Sequence, residues 1–225
     1  MTPTCIQAIL FDFDGTLVDS EGVHFGLWAQ VLRPHGIALS ADFYQNRLAG
    51  LPTAVNACDL VHHFGLAVDP ATLVAANHDA TRAHLAREAF PLMRGVHAAI
   101  EQAQRLGLRV AIVTGAPRVG LDLNLQAHGL VDRFETTVSA NDVVNGKPAP
   151  DGYRLAMQRL GLQPDDCIAV EDTEHGLGAA HAAGVRCLAV PTALSRQHDF
   201  SRAAAVLSDL REVMRWIAAR QHAGD

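Results

Sequence analysis

The chain has 225 residues and a mass of 24.1 kDa, and 49% of its residues are hydrophobic and 19% charged, which is typical of a globular protein rather than a disordered one. No window approaches the ~18 consecutive apolar residues that a membrane helix requires. The net charge of −6 leaves no basic stripe that could neutralise a phosphate backbone, so neither a membrane nor a nucleic acid is expected as a partner.

The N-terminal sequence and the cysteines predict a cytoplasmic location. The chain starts directly into an apolar segment with no basic region ahead of it, so no export signal is expected. The four cysteines form no C-x-x-C pair: Cys5, Cys58, Cys167 and Cys187. The last two lie in apolar, strand-like runs, which favours reduced and buried thiols.

Short apolar runs alternate with helical patterns along most of the chain. Strands are predicted at residues 6–11, 108–113, 136–139, 167–170 and 186–190. Helices are predicted at residues 117–128, 151–160, 173–183 and 209–220, and a glycine follows each of the first three. This β-α repetition predicts an α/β fold with a Rossmann-like parallel sheet and helices on both of its faces.

The segment between the first two strands departs from the alternation. It has only helical patterns, and helix starts are expected at Ser40, Pro52 and Pro70. A helical block inserted at this point cannot join the sheet, so it should form a separate lobe over it. The predicted division is a core of residues 1–16 and 93–225 with a helical lobe of residues 17–92.

Two aspartates follow the first strand, in the stretch Leu-Phe-Asp-Phe-Asp-Gly-Thr-Leu-Val-Asp-Ser-Glu at residues 10–21. The carboxylates of Asp12 and Asp14 repel each other at the end of a buried strand and therefore attract a cation. One of them can then act as a nucleophile while the other transfers a proton. A bare D-x-D is equally compatible with an edge strand that runs into an Asp-rich turn.

Further polar residues follow the later strands, at the edge where open α/β sheets bind ligands. Thr114, Gly115 and Ala116 precede a helix start, where a hydroxyl and free backbone amides can hold a phosphate. Lys147 is the only lysine among 18 basic residues, and it lies between a glycine and a proline in a loop. Such a position is unusual for an incidental surface charge, and a compact ammonium can bind a phosphoryl oxygen and a carboxylate together.

Glu171 and Asp172 end the fourth predicted strand and allow two interpretations. They could cap the following helix, or they could join Asp12 around a cation. Unit charges ~5 Å apart at an effective dielectric constant near 20 repel by roughly 3 kcal/mol, so clustered acids require a compensating charge. A ligand set made only of oxygen atoms favours Mg²⁺.

These residues together resemble the four motifs of the haloacid dehalogenase superfamily, in the same order and with similar spacing. The matching stretches are Asp12-Phe-Asp-Gly-Thr, Thr114, Gly-Lys147-Pro-Ala-Pro-Asp and Glu171-Asp-Thr-Glu-His-Gly. The resemblance covers nearly the whole chain, and the helical insertion is similar to the C1 cap of the β-phosphoglucomutase-like subgroup. Most members of the superfamily are Mg²⁺-dependent phosphatases.

The resemblance implies a role for each matching residue. Asp12 is the nucleophile that forms an aspartyl-phosphate, and Asp14 is the acid/base that protonates the leaving oxygen and then deprotonates water. Thr114 and Lys147 hold the transferring phosphoryl group. The implied Mg²⁺ ligands are Asp12, the backbone carbonyl of Asp14, Asp172 and, directly or through water, Glu171.

Two relatives within this superfamily are disfavoured by the residues present. Dehalogenases lack the second aspartate of the first motif, which is present here as Asp14. Phosphonoacetaldehyde hydrolases need a cap lysine for a Schiff base, and residues 17–92 contain no lysine. A catalytically inactive binding protein of the same fold is disfavoured because every expected reactive residue is intact.

Sugar-phosphate mutases are a closer alternative. His24 and Trp28 are mutase-like candidates for substrate binding, although His24 could simply be a residue at a helix end. Mutases grip the distal phosphate with a Lys and an Arg that flank the cap loop, and this chain has Ala49 and Thr53 there. Arg47 is the one candidate to compensate. The sequence therefore favours a phosphatase for a small phosphomonoester, such as a sugar phosphate, that acts as a monomer or weak dimer.

Overall fold

The computed structural model describes residues 6–221, and it contains a six-stranded sheet with the order β3-β2-β1-β4-β5-β6. The strands are β1 (Ala8–Phe11), β2 (Arg109–Val113), β3 (Thr136–Val138), β4 (Cys167–Glu171), β5 (Arg186–Ala189) and β6 (Ala205–Val206). Every neighbouring pair is parallel. The predicted parallel sheet is confirmed, while Cys5 and the outer ends of the predicted core lie outside the described residues.

Nine α-helices accompany the sheet within the described residues. They are α1 (Glu21–Leu32), α2 (Ala41–Arg47), α3 (Thr53–Phe64), α4 (Pro70–Leu85), α5 (Val96–Arg105), α6 (Arg118–Ala127), α7 (Asp151–Leu160), α8 (Glu174–Ala182) and α9 (Leu210–Gln221). None of the helices found in residues 6–221 is both long and apolar enough to span a bilayer.

Packing divides the chain into two compact units. The core unit runs to Asp19 and resumes at Pro91, and it holds the sheet with helices α5 to α9. The helical unit, Ser20–Phe90, holds α1 to α4.

The core unit is built around β1, whose four residues are all buried. Alternate residues of a strand point to opposite faces, so a fully buried strand requires cover on both sides of the sheet. Ala8 and Leu10 belong to one apolar cluster with the inner faces of α7 and α8. Cys167 and Cys187 belong to the same cluster and are unpaired thiols, as predicted.

The helical unit has its own core, because its helices bury apolar residues against one another. Leu32, Leu48, Leu60 and Leu73 are at most 1% exposed within this cluster. The starts of its helices follow the predicted signals: Ser40 accepts a hydrogen bond from the Phe43 amide at 3.2 Å, and prolines precede or begin α3 and α4.

Two elements were not predicted from the sequence. Strand β6 has two residues at the edge of the sheet, where Val206 is 57% exposed, and it lies in the short apolar run of residues 203–207. Helix α5 does carry a signal, since its buried residues Val96, Ala99, Ile100 and Ala103 repeat at helical spacing.

Candidate active site

The carboxyl ends of β2, β1 and β4 carry the polar residues of the site. These strands are neighbours in the sheet, so Thr114, Asp12 and Glu171 with Asp172 emerge at one edge. The amide of Asp12 donates to the Val170 carbonyl at 2.9 Å, which extends the β1–β4 pairing to the first aspartate. The sheet register therefore determines where the acidic groups lie.

Lys147 joins the acids that the strands supply. Its ammonium donates to Asp12 Oδ1, to Glu171 Oε1 at 2.6 Å and to the Val113 carbonyl at 2.8 Å. A lysine ammonium has three N–H donors, and each of them has a protein acceptor here. The Lys147 side chain is 16% exposed, so its charge is directed into the site and not into solvent.

Three carboxylates form an acidic cluster with the geometry of a cation site. One oxygen each from Asp12, Glu171 and Asp172 lie within 4.8 Å of one another, and all three residues are buried. The carboxylate of Asp14 is not a member of this cluster. Binding of a cation by the backbone carbonyl of Asp14 stays a prediction.

Two glycines leave room for these carboxylates. A Cβ built on Gly176 would overlap the carboxylate of Glu171, and a Cβ on Gly15 would overlap that of Asp172. Gly15 also has a φ of 79°, in the left-handed region that favours glycine. No residue larger than glycine fits at either position unless an acid moves.

The electrostatics of the site follow from burial and charge together. Burial and the nearby Glu171 raise the pKa of Asp12 from 3.8 to about 8, although the charge of Lys147 lowers it. Burial lowers the pKa of Lys147, but Asp12 and Glu171 outweigh burial and the pKa lies above its usual value, so the ammonium keeps its proton. One ammonium does not offset the charge of three buried carboxylates.

Thr114 and its loop lie at the end of β2. The Thr114 hydroxyl oxygen accepts a hydrogen bond from the Ala116 amide at 2.9 Å, so its own proton is left to donate. Gly115 is exposed, and the Thr114 amide is used by the sheet, where it donates to the Val138 carbonyl at 2.9 Å. The predicted phosphate cradle thus has a hydroxyl donor and the exposed backbone at Gly115.

Asp14 lies in a tight turn that leaves β1. The Gly15 amide donates to the Val18 carbonyl at 2.8 Å, and Asp14 forms an isolated bridge with Val18. This turn fixes the backbone of Asp14 just after the buried Phe13, while its side chain is only partly buried. A partly exposed carboxyl group next to the acidic cluster can exchange protons with water.

Tyr153 is a residue of the site that no sequence pattern predicted. It is fully buried in α7, and its hydroxyl donates to Glu171 Oε1, the same oxygen that accepts from Lys147. Burial raises the pKa of Tyr153 well above 10, so the hydroxyl remains a donor. A buried tyrosine in an amphipathic helix indicates only a core residue, so no sequence signal distinguishes this one.

A charged network holds the segment that leads into the Lys147 loop. Arg118 and Arg159 donate to the two oxygens of Asp142 at 2.5 and 2.9 Å, and the Ser139 amide donates to it at 2.8 Å. Partial burial raises the pKa of Asp142, but these hydrogen bonds outweigh it and hold the pKa well below its usual value. Because Arg118 begins α6, the network connects the loop after β2 with the approach to Lys147.

The candidate residues of the helical unit have other partners within that unit. Trp28 is 2% exposed and packs in the core of the unit, so its predicted contact with substrate has no support. The ring of His24 contacts Phe90 edge to face, with centroids 5.2 Å apart. Arg47 donates two hydrogen bonds to the carboxylate of Asp59, at 3.0 and 2.7 Å. Substrate binding by His24 or Arg47 stays a prediction.

Comparisons with known proteins agree with the motifs. The family model for haloacid dehalogenase-like hydrolases matches residues 6–184. The protein CbbY (plasmid) of Cupriavidus necator is 35% identical, and the match covers 91% of this chain and 86% of the relative. The validoxylamine A 7'-phosphate phosphatase of Streptomyces hygroscopicus subsp. limoneus is 33% identical, with 93% of this chain and 96% of the relative covered.

A solved structure gives the same result for the fold. The crystal structure of a CbbY variant from Rhodobacter sphaeroides in complex with xylulose-1,5-bisphosphate has a TM-score of 0.82 and 27% identity, and the match covers 92% of this chain and 96% of that chain. The chain therefore belongs to the haloacid dehalogenase-like hydrolases.

Proposed function

We propose that the protein is a Mg²⁺-dependent phosphatase that hydrolyses a small phosphomonoester, most simply a sugar phosphate, through an aspartyl-phosphate on Asp12. One observation carries the proposal: the ammonium of Lys147 joins Asp12 to Glu171 inside a cluster of three buried carboxylates. A positive group beside a nucleophilic carboxylate and a cation site are the elements that phosphoryl transfer needs.

The acidic cluster fits a hard divalent cation. Its donors are all oxygen atoms, and Glu171 Oε2 is buried with no hydrogen-bond partner among the described residues. Asp12, Asp172 and Glu171 would hold the ion. When bound, Mg²⁺ supplies positive charge that neutralises the carboxylates and the transferring phosphoryl group.

Asp12 carries the covalent step. Its carboxylate oxygen attacks phosphorus as the bond from phosphorus to the ester oxygen breaks, which gives an acyl phosphate and releases the alcohol. Water then attacks phosphorus, releases inorganic phosphate and restores Asp12. Lys147 fixes the orientation of the Asp12 carboxylate through Oδ1, and the Thr114 hydroxyl can donate to a phosphoryl oxygen.

Asp14 transfers the proton that each of the two steps requires. In the first step its carboxyl group gives a proton to the leaving ester oxygen, and in the second it takes one from the attacking water. The turn from Gly15 to Val18 holds it one residue beyond Phe13. The proton that Asp14 takes from this water restores its acid form, and its partial exposure leaves the carboxyl group accessible to water.

The helical unit favours a phosphatase over a mutase. A mutase must retain a bisphosphate intermediate by its distal phosphate, and the Lys and Arg of that grip are replaced by Ala49 and Thr53. Arg47 is already paired with Asp59 through two hydrogen bonds. Because no positively charged side chain at this loop is left to hold the distal phosphate, a bisphosphate intermediate would be lost to the solvent.

The named relatives support the substrate class. One is a phosphatase named for a 7'-phosphate, and one was solved with a sugar bisphosphate bound. The proposal also retains a cytoplasmic location and no nucleic acid partner, as the unpaired buried thiols of Cys167 and Cys187 and the net charge of −6 support. It retains a monomer or weak dimer as the assembly.

A phosphate-release assay tests the proposal. We expect phosphate release from a panel of sugar phosphates in the presence of Mg²⁺, and its loss on chelation or in Asp12→Asn. Conversion of β-glucose 1-phosphate to the 6-phosphate faster than phosphate release would instead identify a mutase. Absence of turnover on the whole panel would favour a binding protein.

A further inference from the structure

The two tyrosines of the chain each donate a hydrogen bond to a glutamate. Tyr44 in the helical unit donates to Glu21 Oε2 at 2.6 Å, and Tyr153 in the core unit donates to Glu171 Oε1. Glu171 belongs to the acidic cluster and Glu21 does not. The chain therefore contains a matched pair of hydroxyl–carboxylate contacts, only one of which reaches the site.

The two oxygens of Glu171 have different surroundings. Oε1 accepts from Tyr153 and from Lys147, while Oε2 is buried without a hydrogen-bond partner among the described residues and lies against Gly176. The donors on one side and the α8 backbone on the other define the orientation of this carboxylate. A fully buried carboxylate cannot recover lost hydrogen bonds from water.

Lys147 alone cannot keep Glu171 in place during turnover. Its three N–H groups are divided among Asp12, Glu171 and the Val113 carbonyl. An N–H group that turns to a phosphoryl oxygen must leave one of these acceptors. The Tyr153 hydroxyl does not turn to the phosphoryl group in this way, because Tyr153 is fully buried in α7.

We propose that Tyr153 is a positioning residue of the cation site, whose hydroxyl fixes the carboxylate of Glu171 for binding Mg²⁺. The inference rests on the proposed function, since it assigns the acidic cluster to Mg²⁺. Tyr153 touches neither the ion nor the substrate, and it acts through Glu171. Partners that orient a metal ligand typically contribute about 10- to 100-fold to metal affinity.

The test is the Mg²⁺ affinity of the substrate-free protein, measured by isothermal titration calorimetry. Tyr153→Phe keeps the ring in the core and removes only the hydroxyl, and we expect its Mg²⁺ affinity to fall about 10-fold or more. Tyr44→Phe removes the same group from the other pair and is expected to bind Mg²⁺ within about 2-fold of wild type. At saturating Mg²⁺, the KM of Tyr153→Phe for a sugar phosphate should stay within about 2-fold.

A double-mutant cycle separates positioning from a general loss of structure. If Tyr153 acts through Glu171, the Tyr153→Phe effect on Mg²⁺ affinity should disappear in a Glu171→Gln background. The inference is overturned if Tyr153→Phe binds like wild type, if Tyr44→Phe loses as much affinity, or if the effect persists in Glu171→Gln. Absence of Mg²⁺ binding by wild type would overturn the metal assignment itself, an outcome distinct from these.

Discussion

Replacement of Gly176 by alanine perturbs the acidic cluster through a single methyl group. The new Cβ would overlap the carboxylate of Glu171, and about 1.5 Å of movement is needed to reach ordinary van der Waals contact. Glu171 is fully buried and held by Lys147 and Tyr153, so that movement breaks hydrogen bonds. We expect a loss of about 10- to 100-fold in Mg²⁺ affinity and about 100-fold in kcat/KM.

The stability change has two opposing parts. Overpacking of a core typically costs about 1–3 kcal/mol, whereas alanine in place of a helical glycine contributes up to about 1 kcal/mol. Because the overlap involves the fully buried carboxylate of Glu171, whose movement would break its hydrogen bonds, the steric cost should prevail. The expected result is a net destabilisation of about 1–2 kcal/mol, measured by urea denaturation.

Gly178 in the same helix provides the matched control. A Cβ there meets only Pro148 Cβ at 3.7 Å, an ordinary contact. Gly178→Ala should therefore keep wild-type activity and gain up to about 1 kcal/mol of stability. If the two alanine variants have the same Mg²⁺ affinity and activity, the reasoning about Glu171 is refuted.

Three further predictions concern residues around the site. Gly15→Ala should lower the Mg²⁺ affinity measured by titration, because the φ of 79° disfavours a side chain and the new Cβ would overlap the carboxylate of Asp172. An unchanged affinity would count against Asp172 as a Mg²⁺ ligand. Lys147→Arg keeps the charge but not the compact ammonium, so kcat/KM in a phosphate-release assay should fall at least about 100-fold, and near-normal activity would contradict the assignment. The folded-state pKa of Asp142 lies below its usual 3.8, so its stabilising effect is full above about pH 5 and is lost as the pH falls toward the folded pKa. Asp142→Asn should therefore lose about 1–2 kcal/mol at pH 7 but less near pH 3 in urea denaturation, and a pH-independent difference would exclude the charge of Asp142 as the cause.

Much of the core unit could be predicted because its signals are local. Four of the first five strands coincide with short apolar runs, and β3 has the β-branched sequence Thr-Thr-Val. Asp12 and Glu171 mark strand ends within the sequence itself. Strand β6 was not predicted although it lies in the apolar run of residues 203–207, because three of those five residues are alanines, which are uncommon in strands. Helix α5 was missed although the spacing of its buried residues indicates it.

The supporting residues of the site could not be predicted from local patterns. Tyr153 is 18 residues from Glu171, and Arg118 is 24 residues from Asp142, so neither contact has a local sequence signal. Trp28 does have a local signal, but that signal is ambiguous. Helical spacing identifies a face of α1 without showing whether this face packs in a core or contacts a ligand. In the structure this side chain packs in the core of the helical unit.

The most direct test of the account is to trap the phosphorylated residue during turnover. The protein is mixed with a sugar phosphate and Mg²⁺, denatured in acid and reduced with borohydride, which converts an aspartyl-phosphate to homoserine that peptide fragmentation can locate. We expect homoserine at position 12 in the wild type, none at position 14 and none in Asp12→Asn. Reduction at another residue, or steady turnover by Asp12→Asn, would contradict it.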